Sequence, residues 1–198
     1  VAAGMTNLSA SATLQGAPPI ELKNLAFMAI AFALLAVVIA IDNVWLLNFV
    51  HVMAGVMWTG IDLFMGFVVG PIVRAMPLPA RRAFVLRLTP KTLFLLPTLS
   101  IITSTAGYFH ARRIGLMSAP YPQFWWVIAA LAIVTVLTLQ GLGFLLPTNL
   151  MVYFELKKPQ PDGARIGRLM RWYFLAVAMQ GVMQIAIIVV MAKFVTGL

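Results

Sequence analysis

Hydrophobic residues in this chain come in long unbroken runs, separated by brief polar or proline-rich breaks. A bilayer core takes about 20 mostly apolar residues per helix, and runs of that order occupy residues 25–41, 44–73, 92–110, 124–147 and 172–194. None shows the residue-by-residue alternation of a membrane β-strand, and a spanning segment must satisfy its backbone internally, so each run predicts a helix. The pattern implies an all-α integral membrane protein, a compact bundle of five transmembrane helices forming a single domain over 23–198. Residues 1–22 are rich in Ala, Ser, Thr and Gly and lack a charged leader, which predicts a flexible tail and not a cleavable signal peptide. Asp42-Asn43 is the only break between the first two runs, enough for a tight antiparallel joint; a single bent helix is the competing reading.

Composition narrows the class. Of 198 residues, 62% are apolar and 10% charged, which excludes a soluble globule, a disordered chain and a nucleic-acid module despite a net charge of +9. Cysteine is absent, so disulfides, thiolate metal sites and covalent haem attachment are excluded. The basic residues are unevenly placed. Lys23, Arg74, Arg81, Arg82, Arg87, Lys91, Lys157, Lys158, Arg165, Arg168 and Arg171 fall on one side of a five-helix count, and Arg112, Arg113 and Lys193 on the other. The positive-inside rule then predicts a cytoplasmic N-terminus and an outside C-terminus. Tyr121, Trp125, Trp126 and Trp172 sit at predicted helix ends as interface anchors. No phosphate loop, nucleophile elbow, zinc motif or dinucleotide fingerprint occurs.

Candidate chemistry lies in the polar residues that a bilayer resists. His51 falls about two turns inside the second helix and His110 ends the third, both near the outer side. Two imidazoles from different helices in one leaflet can ligate a b-type haem above and below its iron. The plainer alternative is hydrogen bonding to a neighbouring helix, or for His110 a place at the water interface. His51, Gly55, Trp58 and Asp62 form one helical stripe, in which Gly55 leaves room for a macrocycle or a neighbouring backbone and Trp58 walls the space. Asp62 is an intramembrane carboxylate, read as a proton relay, a cation ligand, a partner of a bound cofactor or quinone, or a protonated packing residue. Tyr108, Arg112 and Arg113 flank His110, and the guanidinium groups suit haem propionates or lipid headgroups. Met53, Met57 and Met117 are further sulfur candidates, although no Met-rich cluster forms.

The segment His51-Val-Met-Ala-Gly55-Val-Met-Trp58-Thr-Gly60-Ile-Asp-Leu-Phe64 carries an H-x3-G-x2-W-x-G-x3-F pattern. It resembles a superfamily of small bacterial membrane proteins that includes the CopD copper-resistance type, the HemJ type of protoporphyrinogen oxidase and the membrane part of PuuD-type urate oxidases. The resemblance covers some 25 residues well and implies a haem-ligand or redox role for the residue at His51, with packing roles at Trp58 and Gly60. The chain departs from the HemJ pattern because a helix precedes the motif and Lys91 lies far from His51. It also lacks the Cys/Met/His supply of a copper importer and the cytochrome c domain of the urate oxidases.

The leading expectation is a protein of the bacterial inner membrane binding haem b through His51 and His110, transferring single electrons with quinol or a complex partner. A homodimer or a subunit of a larger complex is expected. The second reading is a haem-dependent oxidase acting on a porphyrin precursor and passing electrons to quinone. The third is a non-redox proton or copper transport protein, or a structural subunit.

Overall fold

The computed structural model describes residues 23–196; the expected tail, residues 1–22, lies outside the described residues. Within them the chain forms α1 (Lys23–Ile41), α2 (Val44–Ala75), α3 (Leu78–Arg113), α4 (Gln123–Lys157) and α5 (Gly163–Thr196), each long and apolar enough to cross a membrane. A single 3-10 turn, Leu116–Ser118, lies between α3 and α4.

The joint after α1 is built from its two polar residues. Asp42 takes φ 52°, a left-handed conformation that short polar side chains tolerate. The Asn43 side chain then caps α2 by accepting from the Leu46 N–H at 3.0 Å. Arg113, at the end of α3, pairs with Asp42 at 3.2 Å. Both α1 and α2 pack along α3, so the chain reverses at this joint and does not continue as one bent helix.

Three helices are longer than their apolar runs. α3 begins at Leu78 and not near residue 92, α4 continues to Lys157, and α5 starts at Gly163 and not near 172. Proline is favoured at a helix start, which suits Pro79, while Pro90 and Pro97 sit inside α3 without ending it. Hydroxyl groups bond the backbone around these prolines: Thr92 Oγ1 donates to Leu88 and Thr89 carbonyls, Thr98 to Phe94 and Ser100 to Pro97.

The basic residues therefore lie mostly on helices, and two of them close helix ends. Arg81 donates to the carbonyls of Val73, Arg74 and Met76 at the end of α2. Arg82 reaches across to Leu156 and Lys158 at the end of α4, at 2.8 and 2.7 Å. Carbonyls of a last helical turn have no partner within the helix, and a guanidinium fork satisfies several at once. The α4–α5 connection is tied by Glu155, whose buried side chain pairs with Lys158 at 2.8 Å and Arg165 at 3.3 Å and accepts the Asp162 N–H.

α2 and α4 share a local device. Each contains a five-residue π-helical stretch, Met65–Val69 and Gly141–Leu145, followed at once by a residue and then Pro71 or Pro147. A proline lacks the N–H and its ring crowds the carbonyl four residues back, so a local widening of the helix just before it relieves both faults. Each of these helices is followed by a Pro-x-Pro connection, Pro77–Pro79 or Pro159–Pro161, and a long helix. The α2–α3 and α4–α5 hairpins are thus built alike.

Burial is inverted relative to a water-soluble bundle. Large apolar side chains such as Phe67, Leu139, Val182 and Ile188 are exposed, while Thr98, Ser100, Gln140, Thr148, Gln180 and Gln184 are buried. A lipid surrounding would suit the former; of the latter, Gln140, Gln180 and Gln184 bond to other helices, whereas Thr98 and Ser100 bond back to their own. The apolar centre is small: Ala54 and Trp58 of α2, Leu99 of α3 and Leu137 of α4.

Candidate functional site

His51 lies in the α2–α3 seam, where the two helices make their most extensive contact. Its Nδ1 is 2.8 Å from the Thr103 carbonyl oxygen. A carbonyl only accepts, so Nδ1 carries the proton and donates, which leaves the Nε2 lone pair available. The Thr103 hydroxyl is turned back onto Leu99 O at 2.7 Å and does not compete for the imidazole.

Two glycines permit this approach. A Cβ on Gly107 would fall 2.5 Å from His51 Nδ1 and 2.6 Å from Cε1, so the imidazole rests directly on the α3 backbone where that residue has no side chain. Reciprocally, a Cβ on Gly55 would meet the Thr103 methyl at 3.3 Å. The gap expected at Gly55 is therefore filled by α3. Nothing in the hydrophobic pattern marks Gly107; its only sequence cue is its place one turn after Thr103 and three residues before His110.

His110 sits one turn further along α3, beside the Val44 backbone and within electrostatic reach of His51. Its Nδ1 is buried with no hydrogen-bond partner. A buried polar atom left alone costs about 1–3 kcal/mol, so this nitrogen is an unsatisfied position in the same seam as the pinned imidazole. The expected propionate partners are placed less favourably. Arg113 is engaged with Asp42, Arg112 is exposed, and the exposed Tyr108 ring meets Phe109 edge-on.

Trp58 belongs to another group. It is buried in the apolar centre, with its indole near the Asp62 carboxyl. From α5, Gln180 and Gln184 both donate to Asp62 Oδ2, at 2.6 and 2.8 Å. The glutamine pair was legible as one face of a helix, but its partner three helices earlier was not. Tyr173, two turns before Gln180 on the same face of α5, lies within electrostatic reach of Asp62 and accepts from Asn149 of α4 at 3.1 Å. Gln140 donates across to the Ala176 carbonyl.

The stripe His51–Gly55–Trp58–Asp62 therefore serves two neighbours, the His51 end against α3 and the Asp62 end against α5. Among the described residues no three His, Asp or Glu side chains gather as they would around a metal held by protein ligands alone. Two imidazoles suit an iron whose other four positions are porphyrin nitrogens. The donor atoms of His51 and His110 are of the kind that hold a haem iron, one imidazole pinned with Nε2 available and one with a buried nitrogen lacking a partner, while α3 occupies the space at Gly55 that a macrocycle would need. An open groove of about 460 Å³, lined by Met76, Phe84, Arg87 and Lys91 among others, lies at the opposite end of α3 from His110 and is remote from this seam. Comparison with protein-family models, curated proteins and solved structures gives no match.

Proposed function

We propose that this chain is a b-type haem protein of a bacterial cytoplasmic membrane that passes single electrons between a membrane donor such as quinol and a partner protein. The observation that carries the reading is the Nδ1–H···O=C bond from His51 to Thr103, the orientation in which a metal-binding imidazole is normally held. The bond sets the tautomer, fixes the ring plane and makes Nε2 the more basic ligand. His110 would supply a second imidazole nitrogen to hold the group, and Gly107 lets the first imidazole lie against α3. Bound haem supplies a one-electron iron couple; the chain's own part is to orient the two imidazoles and to keep water from them within an apolar seam. With the basic ends of α2–α3 and α4–α5 in the cytoplasm, the His51 end of the seam faces outward.

The test is an absorption spectrum of the purified full chain, oxidised and then reduced, with pyridine haemochrome quantitation. The expected result is a sharp reduced α-band with about one haem b per chain, lost in His51→Ala. A featureless spectrum after expression with ample haem, or a His51→Ala protein with an unchanged spectrum and haem content, refutes the reading.

A further inference from the structure

Asp62 is about 27 Å along α2 from its start and about 20 Å from its end at 1.5 Å per residue, well inside a spanning helix. Among the described residues no Lys, Arg or His forms an ion pair with it. The titratable side chain within electrostatic reach is Tyr173 of α5; α3 and α4 contribute apolar residues of the centre, Leu99 and Leu137. An isolated carboxylate at such a place is costly, and such residues mark ion or proton pathways.

The surroundings answer this cost in two ways at once. Two N–H groups, from Gln180 and Gln184, donate to one carboxyl oxygen with the Trp58 indole beside them, as an ionised carboxylate requires. Yet the same two amides leave Gln180 Oε1 and Gln184 Oε1 buried without a partner, in side chains that are 5% and 1% exposed. Two unpartnered acceptor oxygens beside a charged acceptor are two donors short, and a proton on the carboxyl supplies one of them. A half-turn of either amide exchanges its N–H2 for its oxygen with no change of shape, and that oxygen then accepts an O–H from a neutral carboxyl. The cluster can therefore solvate both protonation states of one carboxyl by rotating a single bond.

The backbone around Asp62 is also atypical. The Met65 N–H is shared between the carbonyls of Asp62 and Ile61, where the α-helix passes into the π-helical stretch Met65–Val69. Such stretches occur disproportionately at functional sites, since they free a carbonyl and admit small displacements.

We infer that Asp62 is a reversible proton-binding site inside the membrane, with Gln180 and Gln184 as its switching hydrogen-bond partners. The step is COO⁻ plus H₃O⁺ giving COOH and water, with no change in the covalent chain. The Asp62 site does not depend on a bound haem: Asp62, Gln180 and Gln184 form no hydrogen bond to His51, although Trp58 packs on Leu99 of α3 in the same seam.

The test is pH-difference infrared spectroscopy of the full chain in lipid nanodiscs. The chain has only five Asp and Glu residues, so a carboxylic C=O band is assignable by substitution. The expected result is a protonated-carboxyl band that appears and disappears reversibly between about pH 4 and 9, is lost in Asp62→Asn, and is unaffected by exchanging Na⁺ for choline. Gln184→Leu is expected to shift the frequency of the band, because the neutral carboxyl loses an acceptor. Asparagine preserves the shape and still accepts from both glutamines, and a Gln184→Leu shift reports the same carboxyl if Asp62→Asn fails to fold. An Asp62 band absent, or present and unchanged, over the whole range overturns the inference. A band removed by Na⁺ at constant pH would make this a sodium site and equally overturns it.

Discussion

Gly107→Ala isolates the contact on which the His51 arrangement depends. The new methyl would lie 2.5 and 2.6 Å from two imidazole atoms, where ordinary contact begins near 3.4 Å, so ring or helix must retreat by about 1 Å. That displacement sacrifices the 2.8 Å bond to Thr103, worth about 0.5–1.5 kcal/mol, and adds overpacking strain of about 1–3 kcal/mol. Against this, alanine is favoured over glycine inside a helix by about 1 kcal/mol. The net expectation is a loss of about 1–3 kcal/mol in an otherwise wild-type chain. In a His51→Ala background the methyl meets open space and only the helical preference remains, so the same substitution should be neutral or stabilising by up to about 1 kcal/mol. Denaturant unfolding of the purified protein in micelles, run as a double-mutant cycle, should therefore return a coupling of about 1–4 kcal/mol. A coupling below about 0.5 kcal/mol would show that His51 does not rest on Gly107, and the tautomer argument would go with it.

Other consequences are smaller but equally checkable. Gly55→Ala is expected to cost under about 1.5 kcal/mol, because its Cβ meets only a methyl at 3.3 Å, and Thr103→Ser, which removes that methyl, should abolish the cost in the same unfolding assay. Arg82→Ala leaves the carbonyls of Leu156 and Lys158 without their shared guanidinium and should destabilise by about 1–3 kcal/mol; Arg82→Lys should recover little, since an ammonium has no fork. The Arg165 backbone N–H, donated to Asp162 at the start of α5, holds that carboxyl below its ordinary value of 3.8. A depressed folded-state value contributes stability above 3.8 that is lost as pH falls through the lower folded value, so the gap between wild type and Asp162→Ala should be constant at neutral pH and narrow in acid.

The five helices long and apolar enough to span a membrane were readable from the chain alone, because a bilayer imposes one length and one polarity on whatever crosses it. The joint at Asp42-Asn43 was readable too, since those two residue types serve a left-handed turn and a helix cap. The helix ends were not. Residues 78–91 and 163–171 are charged enough to read as loops, yet their charges find partners once folded: Arg82 reaches the end of α4 and Arg165 pairs with Glu155, and the Arg82 contact, 74 residues away, leaves no local trace.

The stripe from His51 to Asp62 was visible as a face of one helix, but a periodicity says nothing about which neighbour meets each turn. Folding divides the stripe, sending His51 to the bare backbone at Gly107 and Asp62 to glutamines 118 and 122 residues away. Apolar length is a property of a segment and can be summed along the sequence. Hydrogen-bond satisfaction of a buried polar atom is a property of a place, and that place exists only once α2, α3 and α5 have packed together.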